Sequence, residues 1–230
     1  MVAYKHYSFD LWLTLIKSNP QFKKERTLYF YNHFNSKGKT LAEVTVIFRQ
    51  VDLMCNAVNE RTGGNIDSEE MYLMVISLVN DNAFPLKEVD LVALYNEMEL
   101  LLFTYIPVIY DKDTVRVLKC IKEKAGNTLS LLSNTGFIKG RTLRKVLQQI
   151  ELDTYFDFQV YSDEVGASKP GAIIFQQLVS QVLALRGAIE LQEIVHIGDN
   201  ALADIEGAKA AGISSVLINS NQTTISSIVS

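Results

Sequence analysis

An α/β fold, a doubly wound parallel sheet interrupted by an inserted helical block, is the architecture the sequence predicts. Three observations carry it. Strand-like and helix-like segments alternate after Pro107, the pattern that builds a parallel sheet. Residues 21–103 have an almost wholly helical texture. A short strand at residues 4–10, ending at Asp10, precedes that stretch and finds no partner inside it, so it is expected to join the later sheet.

Taken in order, the helical stretch begins after the segment 17–20. Leu41, Val44, Phe48, Val51, Cys55 and Val58 recur at spacings of three and four, the stripe of an amphipathic helix. Met71, Met74, Val75 and Leu78 repeat it, as do Val89, Val92 and the apolar run 100–103. Gly63-Gly64 and residues 80–85 punctuate these segments, which predicts four helices. The later half reads as strand 128–133, helix 141–149, strand 158–161, helix 173–183, strand 194–197, helix 200–211 and strand 215–218. The expected division is residues 1–16 plus 108–230 for the sheet and 17–107 for the helical block, with 17–20 and 105–113 as hinges of a lid.

Composition narrows the function. The chain has 230 residues, 48% apolar, which suffices for a packed core. Its 22 Lys+Arg against 26 Asp+Glu leave no basic excess to neutralise a polyanion, so nucleic-acid binding is not expected. The two cysteines, Cys55 and Cys120, form no disulfide framework and suit a reducing compartment. No apolar run approaches the roughly 20 residues that span a bilayer, and no signal-peptide pattern follows the N-terminal apolar residues. The expectation is a soluble cytoplasmic protein of undetermined oligomeric state, with a small molecule as its partner.

In an open parallel sheet, ligands bind beyond the carboxyl ends of the strands. Asp10, Ser133 and Asp199 all stand at such ends, Asp204 follows in the next helix, and Lys169 lies in the loop Ala167-Ser168-Lys169-Pro170. Carboxylates, one hydroxyl and one ammonium suit a divalent cation together with a phosphate. Asp199 alone reads equally well as an acid at a helix N-terminus. Asp10 does not, because a carboxylate ending an apolar strand costs stability unless something engages it. His196 reads as a core histidine, and Gly207 as a position where a helix approaches the sheet closely.

Residues 9–15, Phe-Asp-Leu-Trp-Leu-Thr-Leu, resemble the first motif of the haloacid dehalogenase superfamily. Leu131-Leu132-Ser133-Asn134-Thr135-Gly136 resembles the second, Ser168-Lys169-Pro170 the third, and Ile197-Gly198-Asp199-Asn200 through Asp204 the fourth. The resemblance implies a Rossmann-like core with a helical cap inserted after the first motif. It implies Asp10 as a nucleophile that becomes an aspartyl-phosphate. Mg²⁺ would be held by Asp10, Asp199 and the Trp12 backbone carbonyl. Ser133 and the Asn134 backbone N–H would bind the phosphoryl oxygens, Thr14 would support the nucleophile's loop, and Lys169 would neutralise charge. Asp204 and Asn200 would act from behind the metal ligands.

Two departures keep alternatives open. Phosphatases of this kind carry a second Asp two residues after the nucleophile, to protonate the leaving oxygen; here Trp12 stands there, with Leu13 beside it. Indole does not titrate near neutrality, and dehalogenases, whose halide leaves without a proton, also carry an aromatic at that position. Asp199 pulls the other way, because metal-free dehalogenases resemble Ser-x-Asn-x-x-Asp at the fourth motif. Arg49, in the helical block, could cradle a halide or carboxylate. The balance falls on an Mg²⁺-dependent hydrolase of a small phosphate ester or anhydride. The alternatives are a metal-free 2-haloacid dehalogenase and a non-catalytic binder of phosphorylated ligands or a protein partner.

Overall fold

The computed structural model describes residues 4–229. Its centre is a five-stranded, wholly parallel sheet built from β1 (His6–Phe9), β4 (Thr128–Ser133), β5 (Phe158–Tyr161), β6 (Ile194–Gly198) and β7 (Ser214–Leu217). The order is β5-β4-β1-β6-β7. β1 pairs with β4 on one side (Phe9 opposite Leu131) and with β6 on the other (Phe9 opposite Ile197), so the first strand does sit at the middle of the later sheet. Every residue of β1 and β6 is buried. Strands covered on both faces need apolar side chains throughout, which is why His6, Ser8 and His196 stand out within them.

Both crossings between the sheet and the helical block run through one small ribbon. β2 (Ile16–Lys17) pairs antiparallel with β3 (Val108–Ile109). The Asn19 side chain donates to the Ile106 carbonyl at 3.3 Å and also caps the next helix through the Gln21 N–H.

The block itself comprises α1 (Pro20–His33), α2 (Leu41–Thr62), α3 (Ser68–Val79) and α4 (Leu91–Thr104). α2 starts on a capping box between Thr40 and Glu43 and stops at Gly63, in the left-handed conformation. The block has its own apolar core, in which Phe30, Val44, Phe48, Val51, Cys55, Met71, Tyr72, Val75, Leu94 and Met98 are buried together. The stripe predicted on α2 holds in its middle and fails at its ends, since Leu41 and Val58 are exposed. On α4 the buried face is Leu94, Tyr95, Met98 and Leu102, while Val92 and Leu100 face outward. Its outer face mixes Val92 and Leu100 with Asn96 and Glu97, so apolar residues alone could not select the inner face.

α5 (Thr114–Glu123) is absent from the elements expected of the sequence; its buried residues Val117, Leu118 and Ile121 span little more than one turn, too short a stripe to register as periodic. α6 (Gly140–Gln149), α7 (Ser162–Val165) and α8 (Ala172–Arg186) follow in the later half. The helix expected at 200–211 is in fact a π-helical turn, Ala201–Glu206, leading into α9 (Gly207–Ala210). The wider turn bends the Asp204 side chain back toward its own start, where it accepts from the Asn200 N–H at 2.9 Å. Gly207 lies against α8: a Cβ there would stand 2.4 Å from the Phe175 ring, so only glycine fits.

Candidate active site

Asp10, Ser133 and Asp199 come off the carboxyl ends of β1, β4 and β6, three neighbouring strands. The sheet's twist and parallel register therefore deliver them to one crevice. Oxygens of Asp10, Asp199 and Asp204 all lie within 4.8 Å of one another.

Lys169 holds this cluster together. It is buried, and its Nζ donates to Asp10 Oδ1 at 2.8 Å, to Asp204 Oδ1 at 2.6 Å and to the Leu132 carbonyl at 2.8 Å, which uses all three of its protons. The Asn134 side chain fixes the backbone beneath it, donating to the Lys169 carbonyl at 3.0 Å and accepting from the Lys169 N–H at 2.7 Å. Ser133 is fully buried, its hydroxyl resting on the Asn134 carbonyl at 3.1 Å.

The three carboxylates are not equivalent. Asp204 is saturated: Lys169 and His196 reach Oδ1, and the Asn200 N–H reaches Oδ2. Burial alone would raise its pKa, but Lys169 and His196 outweigh burial and hold the carboxyl well below the usual range. Gly198 makes room for it, since a Cβ there would stand 2.1 Å from Asp204 Oδ2. Asp10 and Asp199 are the reverse case. Burial pushes Asp10 up to about 6 despite Lys169, with Asp204 adding to the rise. Asp199 is also raised to about 6 by burial and by Asp204. The Thr14 hydroxyl donates to Asp10 Oδ2 at 3.0 Å and stands 3.5 Å from Asp199 Oδ1, so it marks the gap between the two. Three acids against one ammonium leave an excess of negative charge in a partly buried crevice, where Asp10 and Asp199, each with fewer partners than Asp204, approach each other. That donor set fits a hard divalent cation.

His196 enters as a support that the sequence does not assign. Its Nε2 contacts Asp204 Oδ1 at 3.1 Å and its Nδ1 contacts the Ser8 hydroxyl at 3.0 Å. Burial holds the ring below its ordinary pKa. The signal was present: Ser8 and His196 are polar positions in apolar strands, and they pair in register.

The helical block reaches the crevice through the end of α2 and the loop after it. Glu60 Oε1 accepts from the Asn200 side chain at 2.9 Å. The Gly63 carbonyl accepts from the Ser168 N–H at 2.9 Å, and Asn65 Oδ1 accepts from the Ser162 hydroxyl at 2.7 Å. Arg49 is not brought into this cluster. It pairs with Asp52 on the surface, with 67% of its side chain exposed. It also stands 11 residues before Glu60 on the same helix, about 16 Å along the axis. Trp12 is half-buried against the apolar cluster of Leu11 and Leu15, and Leu13, with a left-handed φ of 60°, is half exposed.

Comparison with known proteins gives the family and the fold. A family model described as a haloacid dehalogenase-like hydrolase matches residues 4–212. The mouse haloacid dehalogenase-like hydrolase domain-containing protein 3 is 30% identical over 105 residues, which are 46% of this chain and 38% of that protein. The chain spans less than half the length of such curated relatives. Among solved structures, the HAD-hydrolase YfnB from Bacillus subtilis, bound to magnesium, superimposes with a TM-score of 0.71 at 16% identity, over 96% of this chain and 91% of that one. A 2-haloacid dehalogenase from Pseudomonas syringae gives 0.64 at 16% identity, over 96% and 89%. At such identities these likenesses concern the fold. No helix among the described residues is long and apolar enough to cross a membrane.

Proposed function

We propose that this chain, which belongs to the haloacid dehalogenase-like hydrolases, is an Mg²⁺-dependent hydrolase of a small phosphate ester or anhydride. The observation that carries this reading is Asp199: a half-buried second carboxylate close to Asp10, with few hydrogen-bond partners and a raised pKa, has no task in a metal-free dehalogenase. Asp10 and Asp199 would hold the cation, with the Trp12 carbonyl; it would screen the phosphoryl charge so that an anion can approach. Asp10 would attack phosphorus through a carboxylate oxygen, and the leaving oxygen would depart with the P–O bond electrons as an anion that takes its proton from water. Water then cleaves the aspartyl-phosphate, releasing inorganic phosphate and restoring Asp10. Lys169, anchored by Asp204, keeps Asp10 ionised and offers positive charge beside the developing phosphorane. Ser133 and Asn134 border the phosphoryl oxygens. Trp12 favours a second reading, 2-haloacid dehalogenation, because it removes the acid that an alkyl leaving group requires.

The deciding assay sets phosphate esters against 2-haloacids, with and without chelator. Phosphate release that stops on chelation is expected. Chelator-insensitive dehalogenation without phosphatase activity would establish the second reading instead, and bound metal with neither turnover would indicate a binding module.

The raised pKa values give this reading a pH signature. Both folded-state values, about 6, lie above the ordinary 3.8. The two groups therefore weigh against the cation-free fold above pH 6, and acidification toward pH 4 relieves them. A cation does the same at neutral pH and must displace protons below pH 6. Mg²⁺ at ten times its Kd should raise Tm at pH 7.5 by roughly 3–6 °C. Its apparent affinity should fall steeply as pH drops from 7 to 5. A calorimetric titration showing equal affinity at both pH values would contradict the assignment of Asp10 and Asp199 as ligands.

We also take the helical block to move as a lid about the β2–β3 ribbon. Support comes from its apolar core, drawn from the block itself apart from Phe137, and from the polar character of the Glu60, Gly63 and Asn65 contacts, while Phe22 and Leu102 tie the base of the block to the sheet's core. Asn65→Ala with Glu60→Ala removes two of these bonds, each worth about 1 kcal/mol. KM is expected to rise by up to roughly 30-fold, with faster amide exchange in residues 62–66. Unchanged exchange there would show that these contacts do not govern closure.

A further inference from the structure

One buried cation has no part in the hydrolysis just described. Arg26, on α1, is 8% exposed. Among the described residues no carboxylate lies within ion-pairing distance of it. Its Nε has no hydrogen-bond partner. The guanidinium carbon stands 4.3 Å from the centre of the Phe48 ring, 4.5 Å from Phe137 and 5.4 Å from Phe22. Aromatic faces attract a cation, but a phenyl ring offers no acceptor to in-plane N–H donors. Burial lowers its pKa, opposed by the Tyr72 hydroxyl and the charge of Asp52. A buried charge lacking a counter-ion is costly, so its retention needs a reason.

Its position supplies one. Phe137 lies three residues beyond Asn134, and its carbonyl accepts from the Tyr72 hydroxyl at 3.1 Å. Phe22 shares the apolar cluster of Leu11 and Leu15, against which Trp12 packs. Arg26 thus occupies the seam between the helical block and the sheet, with Phe137 of the loop that follows Ser133 against it and Phe22 linking it to the apolar cluster that includes Leu11 and Leu15 of the Asp10 loop. The departing portion of a substrate bound to those loops would extend into this seam.

We propose that Arg26 selects the substrate by pairing with a second anionic group, a carboxylate or a second phosphate, on its leaving portion. This rests on the phosphohydrolase reading and deepens it. The guanidinium edge presents coplanar donors suited to bidentate carboxylate or phosphate. The rings around it exclude the water that would otherwise compete. Arg26 acts here on specificity and does not touch the reacting atoms.

The test compares wild type, Arg26→Met and Arg26→Lys on four substrates. Ethyl phosphate and p-nitrophenyl phosphate lack a second anion; 2-phosphoglycolate carries a carboxylate, and 1,3-propanediol bisphosphate a second phosphate. Wild type should favour one of the doubly anionic esters over ethyl phosphate at least 10-fold in kcat/KM, and which one identifies the anion. Arg26→Met should lose that preference while p-nitrophenyl phosphate turnover stays within threefold. Arg26→Lys should retain part of it. Equal losses on all four substrates, or no preference in wild type, would overturn the proposal.

A second readout does not depend on turnover. Without Mg²⁺, malonate or pyrophosphate should raise the Tm of wild type and leave that of Arg26→Met unmoved. If wild type hydrolyses no phosphate yet shows this shift, the hydrolase reading fails and the anion site stands. If neither anion shifts wild type, the anion site fails by itself. Should Arg26→Met not fold, Arg26→Lys decides on the same measurements.

Discussion

Asp10→Asn is expected to abolish turnover, by roughly 10⁴-fold or more, on the scale seen when a covalent nucleophile is removed. The amide keeps nearly the same shape but has no anion to attack phosphorus, and it is a poor cation ligand. The fold should survive. Lys169 retains Asp204 and the Leu132 carbonyl as partners and can still donate to the amide oxygen, while the amide nitrogen can donate to the Thr14 hydroxyl. Because burial raises the Asp10 pKa, its charge disfavours the cation-free fold at neutral pH, so the variant should melt no lower than wild type without Mg²⁺. Its Tm should also lose most of the Mg²⁺-dependent rise. Asp199→Asn separates the two roles: it keeps the nucleophile, so activity should return in part at high Mg²⁺. Wild-type hydrolysis by purified Asp10→Asn protein would refute the covalent route.

The skeleton of this site was legible because parallel strands place their carboxyl ends side by side. Once segments around Asp10, Ser133 and Asp199 read as strands, their convergence followed from topology alone. What the sequence withheld was contact across long separations. Glu60 meets Asn200 across 140 residues, and Asn65 meets Ser162 across 97; no local periodicity encodes such pairings. Arg26 and Arg49 show the same limit, since each is one of the basic residues of its helix and residue type does not tell which is enclosed. Only packing separates the one enclosed by Phe22, Phe48 and Phe137 from the one paired with Asp52 at the surface. His196 lay between these extremes. Its strand identified it as buried, but its hold on Asp204 depends on the π-helical turn, which folds that carboxylate back over Gly198.

Trp12→Asp should raise turnover of alkyl phosphates selectively, with a ceiling of roughly 10²–10⁴-fold, the usual worth of general acid–base help. In wild type an alkoxide must depart unprotonated or take its proton from water, so aryl and acyl phosphates should outrun alkyl ones widely. The variant should gain little on aryl substrates, whose leaving group needs no proton. A new acid limb should appear in its alkyl rate profile, because the inserted carboxyl works only while protonated. The loop is built to tolerate the change. Its course is fixed by backbone bonds from Leu13 N–H to the Ile16 carbonyl at 2.7 Å, and from the Leu15 and Ile16 N–H groups to the Leu11 carbonyl at 2.9 and 3.0 Å. The Asn219 side chain adds a bond to the Leu13 carbonyl at 2.7 Å. None of these involves the indole, so its removal costs packing against the apolar cluster and leaves the Asp10 backbone held. Both substrate classes measured on both proteins across pH decide the matter. If wild type shows no preference for good leaving groups, another side chain already supplies the proton. Glu60, the helical-block carboxylate bonded to Asn200, is then the group to replace, and Glu60→Gln should lower alkyl turnover alone.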